Sequence, residues 1–327
     1  MLIPVLLFIV GLVLLIKGGD WFVDGATGIA HKFHVPELLI GATVVAIGTT
    51  LPEVMVSATS AVSGHGEIAY GNALGSIICN TALIAAITIT AKPSDVDKKS
   101  LVKPVAFFFG SALFYAATAY ATGHFSRVTG IVLLAVFVLY IGMLVKEAIS
   151  SPKPDVNLSS ENGPDASDDP RVIVRDIIKL IIGAAFIAVG ADLLVDNGTL
   201  IAQALGVPES VIALTFVALG TSLPELVTAI TSLRKGHGAL SLGNVIGANI
   251  FNLVLVSGVS TTLSPFDVPA SKTIAGMNAS LLVDIPVVFA VMLILTVPAL
   301  LKGKLTRVQG IILLLIYAAF CVFQFVS

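Results

Sequence analysis

Charge is what this chain has least of. Only 12% of its 327 residues are Asp, Glu, Lys or Arg, and 56% are hydrophobic. Soluble domains carry about 25% charged residues, so a soluble globule is excluded; the mean hydropathy of +1.01 points to a polytopic membrane protein. Cysteine is scarce as well. Cys79 and Cys321 both lie in apolar runs and read as small packing residues, not a disulfide or a metal pair. There is no Gly-x-x-x-x-Gly-Lys-[Ser/Thr] loop, which argues against a nucleotide-driven machine. No basic stretch interleaved with aromatics suggests nucleic acid. The formal net charge of −2 selects no partner. A basic n-region and a small-x-small cleavage site are both missing around Met1–Ile16, so that segment reads as a mature helix and not a signal peptide.

What remains is dominated by apolar runs. A helix needs about 20 residues to cross a bilayer. Runs of that kind fall at 2–30, 36–62, 68–90, 103–121 and 127–149, then at 173–203, 208–233, 240–262, 278–300 and 307–326. The expected fold is therefore all-α, with ten transmembrane helices.

The chain is also written twice. A shift of 172 positions (225 − 53) aligns 11–90 with 183–262 without a gap, giving 32 identities. Among the pairs are Asp20/Asp192, Asp24/Asp196, Pro36-Glu37/Pro208-Glu209, Gly64-His65-Gly66/Gly236-His237-Gly238 and Asn80/Asn252. Five helices per half is an odd number, so the second half must enter from the opposite side. The repeats are then inverted about an axis in the membrane plane. The expected units are 1–149 and 172–327, joined by 150–171. That linker is rich in Pro, Ser and Asp, and its acids (Asp155, Glu161, Asp165, Asp168, Asp169) match no EF-hand spacing.

Basic residues orient the model. With both termini outside, the inner loops and helix ends hold Lys32, Lys92, Lys98, Lys99, Lys103, Lys146, Lys153, Arg171, Arg175, Lys179, Arg234, Lys235, Lys302, Lys304 and Arg307. The outer ones hold only Arg127 and Lys272, and Lys17 lies within the first span. Positive charge stays in the cytoplasm, so the central loop is expected there.

Each half places one glutamate inside a span. The motif Gly48-Thr49-Thr50-Leu51-Pro52-Glu53 returns as Gly220-Thr221-Ser222-Leu223-Pro224-Glu225. An acid at membrane depth is costly and marks a functional site by default. Pro52 and Pro224 lack an N–H and clash with the carbonyls of Gly48 and Gly220, so both helices are expected to open there. The carbonyls freed around Ala46–Thr49 and Ala218–Thr221 would then line a cavity. Nearby donors are all oxygens: hydroxyls from Thr49, Thr50, Thr221 and Ser222, and a stripe of Asn72, Ser76 and Asn80 on one helix face. Asn244, Ala248 and Asn252 repeat that stripe. Hard oxygen ligands without His or Cys suit calcium or sodium, not zinc or copper. Gly71/Gly75 and Gly243/Gly247 offer small faces for close helix approach. Asp20/Asp24 and Asp192/Asp196 lie nearer helix ends and read as polar contacts of gating helices. His65 and His237 read as turn residues.

These residues resemble the cation/calcium exchanger superfamily, specifically its compact prokaryotic sodium/calcium exchangers. Gly41–Ser60 with Gly71–Asn80, and Ala213–Ser232 with Gly243–Asn252, carry the likeness over nearly the whole chain. The resemblance implies an antiporter and not an enzyme, in a prokaryotic plasma membrane, with calcium and sodium as transported ions and no cofactor or nucleotide. It implies metal contacts from Glu53 and Glu225, hydroxyls of Thr50 and Ser222, carbonyls of Ala46, Thr49, Ala218 and Thr221, and a flank of Ser76 and Asn80, with Asn252 opposite. Asn252 stands where some relatives have aspartate, Ala248 and Thr50 where serine is frequent. A proton- or potassium-coupled antiporter is the nearest alternative; a passive channel and an intramembrane hydrolase are more distant ones.

Overall fold

The computed structural model describes residues 2–33, 35–150, 170–205, 220–270, 273–274 and 276–326. Long apolar helices dominate it: α1 (Leu2–Lys32), α2 (Glu37–Val62), α3 (Gly66–Ala91), α4 (Lys98–Thr122), α5 (Arg127–Ser150) and α6 (Pro170–Ala204). After the undescribed 206–219 come α7 (Leu223–Arg234), α8 (Gly238–Leu263), α9 (Ser280–Lys302) and α10 (Arg307–Val326). Nine helices among the described residues are long and apolar enough to span a membrane; the tenth expected span, 208–233, is described only from Gly220 onward. Most of the 150–171 linker lies outside the described residues.

α4 starts at Lys98, five residues before its apolar run. Asp97 caps it, accepting from the backbone N–H of Lys99 at 3.1 Å and of Ser100 at 3.2 Å. The Ser100 hydroxyl donates to the same carboxylate at 2.6 Å. That hydrogen bond, with those from the two backbone N–H groups, holds the Asp97 carboxyl below its ordinary range.

α8 and α3 are buried over most of their length, whereas α1, α6 and α10 turn most of their apolar side chains outward. This follows from composition: α8 is apolar or small nearly all round, as a helix surrounded by others must be. Two-residue ladders brace the halves at the ends. Ser94–Asp95 (β1) pairs antiparallel with Lys304–Leu305 (β6). His124–Phe125 (β2) pairs with Phe266–Asp267 (β3). Thr273–Ile274 (β4) and Met277–Asn278 (β5) close a local hairpin.

α1 and α6, related by the repeat, pack against each other along their length. Gly11 lies against Gly190, Gly18 against Gly183, and Gly25 against Asp176 and Leu180. As numbers rise along α1 they fall along α6, so equivalent helices run antiparallel and the two halves are inverted. The glycines recur every seven residues, which keeps one backbone-to-backbone seam facing the partner. A Cβ on Gly18 would stand 2.8 Å from Phe186 Cβ and 2.9 Å from the Gly183 carbonyl oxygen. Gly18→Val or Gly183→Val should therefore force the pair apart and cost about 1–3 kcal/mol, lowering the thermal midpoint in detergent by several degrees. Gly110→Val, where a Cβ meets open space, should leave the midpoint unchanged.

Candidate functional site: a buried acid pair in an inverted repeat

Glu53 and Glu225 are both fully buried. α2 carries the first and α7 the second, and their carboxyl groups come within electrostatic reach of each other. No described residue completes a hydrogen bond to any of the four carboxyl oxygens. The hydroxyls of Thr49 and Thr50 lie beside the Glu225 carboxyl, so the first motif surrounds the acid of the second. Thr49 Oγ1 also donates to Asn244 Oδ1 at 3.2 Å, tying α2 to α8 across the repeat boundary.

Asn72 on α3 supports Glu53 from behind. Its Nδ2 donates to the Glu53 backbone carbonyl at 3.2 Å and to Ser57 Oγ at 2.8 Å. The sequence pattern puts Asn72 and Asn244 on the polar stripe without assigning them to the site, and it does not single out Ser57. The doubling of Asn72 as Asn244 was the available signal. The second half has Ala229 where the first has Ser57, and Asn244 Nδ2 accordingly has no partner among the described residues.

Thr50, Asn80 and Asn252 are buried with side-chain polar atoms likewise lacking a described partner. Ser76 and Ser222 are buried, and Thr221 is half-buried at the turn before α7. Ser222 lies beside the Cys79 thiol, which also accepts from Tyr317 Oη at 3.9 Å. Cys79 and Cys321 are both free, but Cys79 faces hydroxyls at the rim of the site, more polar company than its sequence neighbours suggest. Ala46 is fully buried. Ala218 lies outside the described residues.

The backbone departs from expectation in the first motif. α2 passes through Pro52 as a helix, so the carbonyls of Ala46 and Thr49 stay within it and only Gly48 loses its donor. Its irregular backbone lies upstream, in a π-helical turn at Gly41–Val45. A π turn admits one extra residue and loosens the ladder without exposing an end. In the second motif the chain does break: Thr221 and Ser222 form a turn, and Pro224 sits in the first turn of α7, where its missing N–H costs nothing. Two further π turns begin at the repeated asparagines, Asn80–Ala85 in α3 and Asn252–Val256 in α8. Sequence periodicity does not reveal a π turn, because one inserted residue barely disturbs an apolar pattern.

Gly243 and Gly247 meet expectation, packing on Leu38 and Ala42 of α2. Beside Gly71 and Gly75 no described atom lies within reach of a Cβ. His65 and His237 sit in turns whose preceding glycines, Gly64 and Gly236, have φ of 81° and 88°. His237 has a further partner, its Nδ1 lying 2.8 Å from Glu37 Oε1.

A cleft of about 590 Å³ lies between α2 and α6, along the part of α2 that runs from Gly48 toward its end at Val62. Gly48, Pro52, Met55 and Val56 form one wall; Ala188, Ala191, Asp192 and Asp196 of α6 form the other, with Thr221 and Pro224 at its floor. The equivalent space at the opposite face, where α7 ends at Arg234, is closed. Gly19, the counterpart of Ala191, packs so tightly on α7 that a Cβ would stand 2.7 Å from Val227 Cγ1 and 2.9 Å from Thr231 Oγ1. Among the described residues, the cleft between α2 and α6 thus has no open counterpart between α7 and α1.

The chain matches the family model described as sodium/calcium exchanger protein over residues 3–146 and 176–326. It is 32% identical over 350 residues to the sodium/calcium exchanger MaX1 of Methanosarcina acetivorans, covering 98% of both chains. It is 35% identical over 288 residues to inner membrane protein YrbG of Escherichia coli, covering 87% of both. A structure of the sodium-calcium exchanger NCX_Mj soaked with 2.5 mM Na+ and 10 mM Sr2+ is similar at a TM-score of 0.80 and 33% identity, over 97% of each chain. With these likenesses spanning both halves, this chain belongs to the sodium/calcium exchanger family.

Proposed function

We propose that the chain is a secondary active antiporter that exchanges calcium for sodium by alternating access at one site between its inverted halves. The observation that carries this is the convergence of Glu53 and Glu225, both fully buried, with no described residue bonding their carboxyl oxygens. Two carboxylates in a dry interior need positive charge, because an uncompensated buried ion costs several kcal/mol. The first-half hydroxyls, Asn80 and Asn252 add neutral oxygens. One calcium ion, or two sodium ions, supplies the charge that an acid pair requires. An unloaded pair resists being closed in, so only the loaded protein changes sides and the two fluxes are coupled.

Glu53 and Glu225 act as the carboxylate ligands, with Thr50 and Ser222 hydroxyls, Thr221, Ser76, Asn80 and Asn252 around them. Asn72 and Ser57 are positioning residues that fix the Glu53 backbone. The Arg234 face is cytoplasmic, since the basic residues cluster there; Lys103, paired with Glu147 at 2.8 Å, and Lys304 near Asp95 belong to that face. The arrangement described is then outward-open, with both termini outside and the 150–171 linker in the cytoplasm. The membrane is a prokaryotic plasma membrane. The nearest rival, a proton- or potassium-driven antiporter, uses the same pocket.

In liposomes loaded with sodium, an outward sodium gradient should drive calcium uptake, and Glu53→Gln or Glu225→Gln should reduce it at least about 100-fold. Undiminished uptake in both variants would overturn the shared-site reading, and uptake that follows a proton or potassium gradient instead would reassign the coupling ion. Asn72→Ala, which leaves the carboxylate but removes its backbone support, should weaken apparent calcium affinity about 10- to 100-fold, read from the concentration dependence of uptake.

A further inference from the structure

The inverted repeat gives each mouth of the pocket the same two acids, but among the described residues a cation sits on only one pair. At the closed mouth, Lys235 reaches from the turn between α7 and α8 to α1. Its Nζ lies 2.7 Å from Asp24 Oδ1 and 3.4 Å from Asp20 Oδ1, and donates to the Asp20 backbone carbonyl at 2.9 Å. At the open mouth the counterparts Asp192 and Asp196 line the cleft, and no basic side chain among the described residues pairs with them. The position matching Lys235 is Ser63. Repeat symmetry alone predicts two equal mouths; Lys235 in place of Ser63, together with Gly19 in place of Ala191, separates them.

We propose that Lys235 is an electrostatic latch that sets which mouth is closed at rest. The inference rests on the alternating-access reading above. Its ammonium occupies the acids that a cation entering from that face meets first, and it holds α1 down on α7. Because α1 and α6 are joined along a glycine seam too close to slip apart, holding α1 on α7 holds α6 away from α2. Closing one mouth opens the other. The three side chains are partly exposed, at 26% for Lys235, 39% for Asp20 and 43% for Asp24. Salt therefore screens the contact, and it acts as a population bias of about three- to tenfold, not a lock. Cations arriving at that face compete with the lysine for the same oxygens and release it.

The test reads access, not transport. Val56 lines the open cleft; its repeat counterpart Thr228 is fully buried in the closed half, and its hydroxyl has no described partner. Single cysteines at each position, with Cys79 and Cys321 replaced by alanine, are labelled by a membrane-impermeant maleimide from the matching face of sealed vesicles. Lys235→Ser, which installs the residue of the other repeat, should raise the labelling rate of Thr228→Cys about three- to tenfold and lower that of Val56→Cys. Asp20→Asn with Asp24→Asn should do the same from the other partner, Lys235→Arg should not, and high salt should move the wild type toward Lys235→Ser. Unchanged labelling in both latch variants, even with a lower thermal midpoint, would mean an ordinary ion pair and overturn the proposal. Labelling needs no ion gradient. A protein that failed to exchange sodium for calcium but shifted its labelling would overturn the transport reading alone, and the reverse result would overturn the latch alone.

Discussion

Two acids share an interior that holds no described positive side chain beside them, and the rest of the molecule is arranged around that fact. A lone carboxylate can shed its charge by taking up a proton. A pair framed by hydroxyls and amides is better suited to holding cations. The framing is reciprocal: Thr49 and Thr50 of the first half flank Glu225 of the second, and Thr49 reaches Asn244. Neither half completes the site alone, so the duplication is a condition for the site to exist.

Inversion also explains how one sequence pattern yields two local structures. The first motif runs through its proline as a helix, and the second breaks before it. The α1–α6 pair lies close to α7 on one face and stands off from α2 on the other. The two repeats, identical at 32 of 80 aligned positions, thus hold different conformations in one molecule, which is the asymmetry that the proposed alternation between two mouths requires. The glycine seam brings the α1 and α6 backbones into direct contact, with few side chains between them. The π turns at Asn80–Ala85 and Asn252–Val256 lie at matched places, where loosened backbone sits beside the polar stripe.

Much of this was legible beforehand, for identifiable reasons. The 172-residue shift exposed the duplication, and Gly-Thr-[Thr/Ser]-Leu-Pro-Glu exposed the acids, because charge at membrane depth stands out against hydrocarbon. The ends of spans were less legible: α4 begins five residues early because Asp97 caps it, a local hydrogen-bonding effect that hydropathy does not register. Helix opening was expected at both prolines and is present only beside Pro224; α2 runs through Pro52 and has its irregular turn at Gly41–Val45. Asn72 was visible as a repeated residue, but its support of Glu53 and Ser57 depends on how α3 crosses α2.

Sequence alone determined that the chain enters a membrane, that it does so as two copied halves of opposite direction, and that each half brings one carboxylate and a set of neutral oxygens. Those conclusions follow from composition, parity and periodicity, which are properties of the chain. Only the tertiary structure decided that Glu53 meets Glu225, that Asn72 and not Asn244 braces its own repeat's acid, and that Lys235 closes on Asp20 and Asp24 while Asp192 and Asp196 stand open. These depend on which helix faces touch, and the repeats differ there because matched positions carry different side chains, Gly19 against Ala191 and Lys235 against Ser63, so one side packs shut where the other does not.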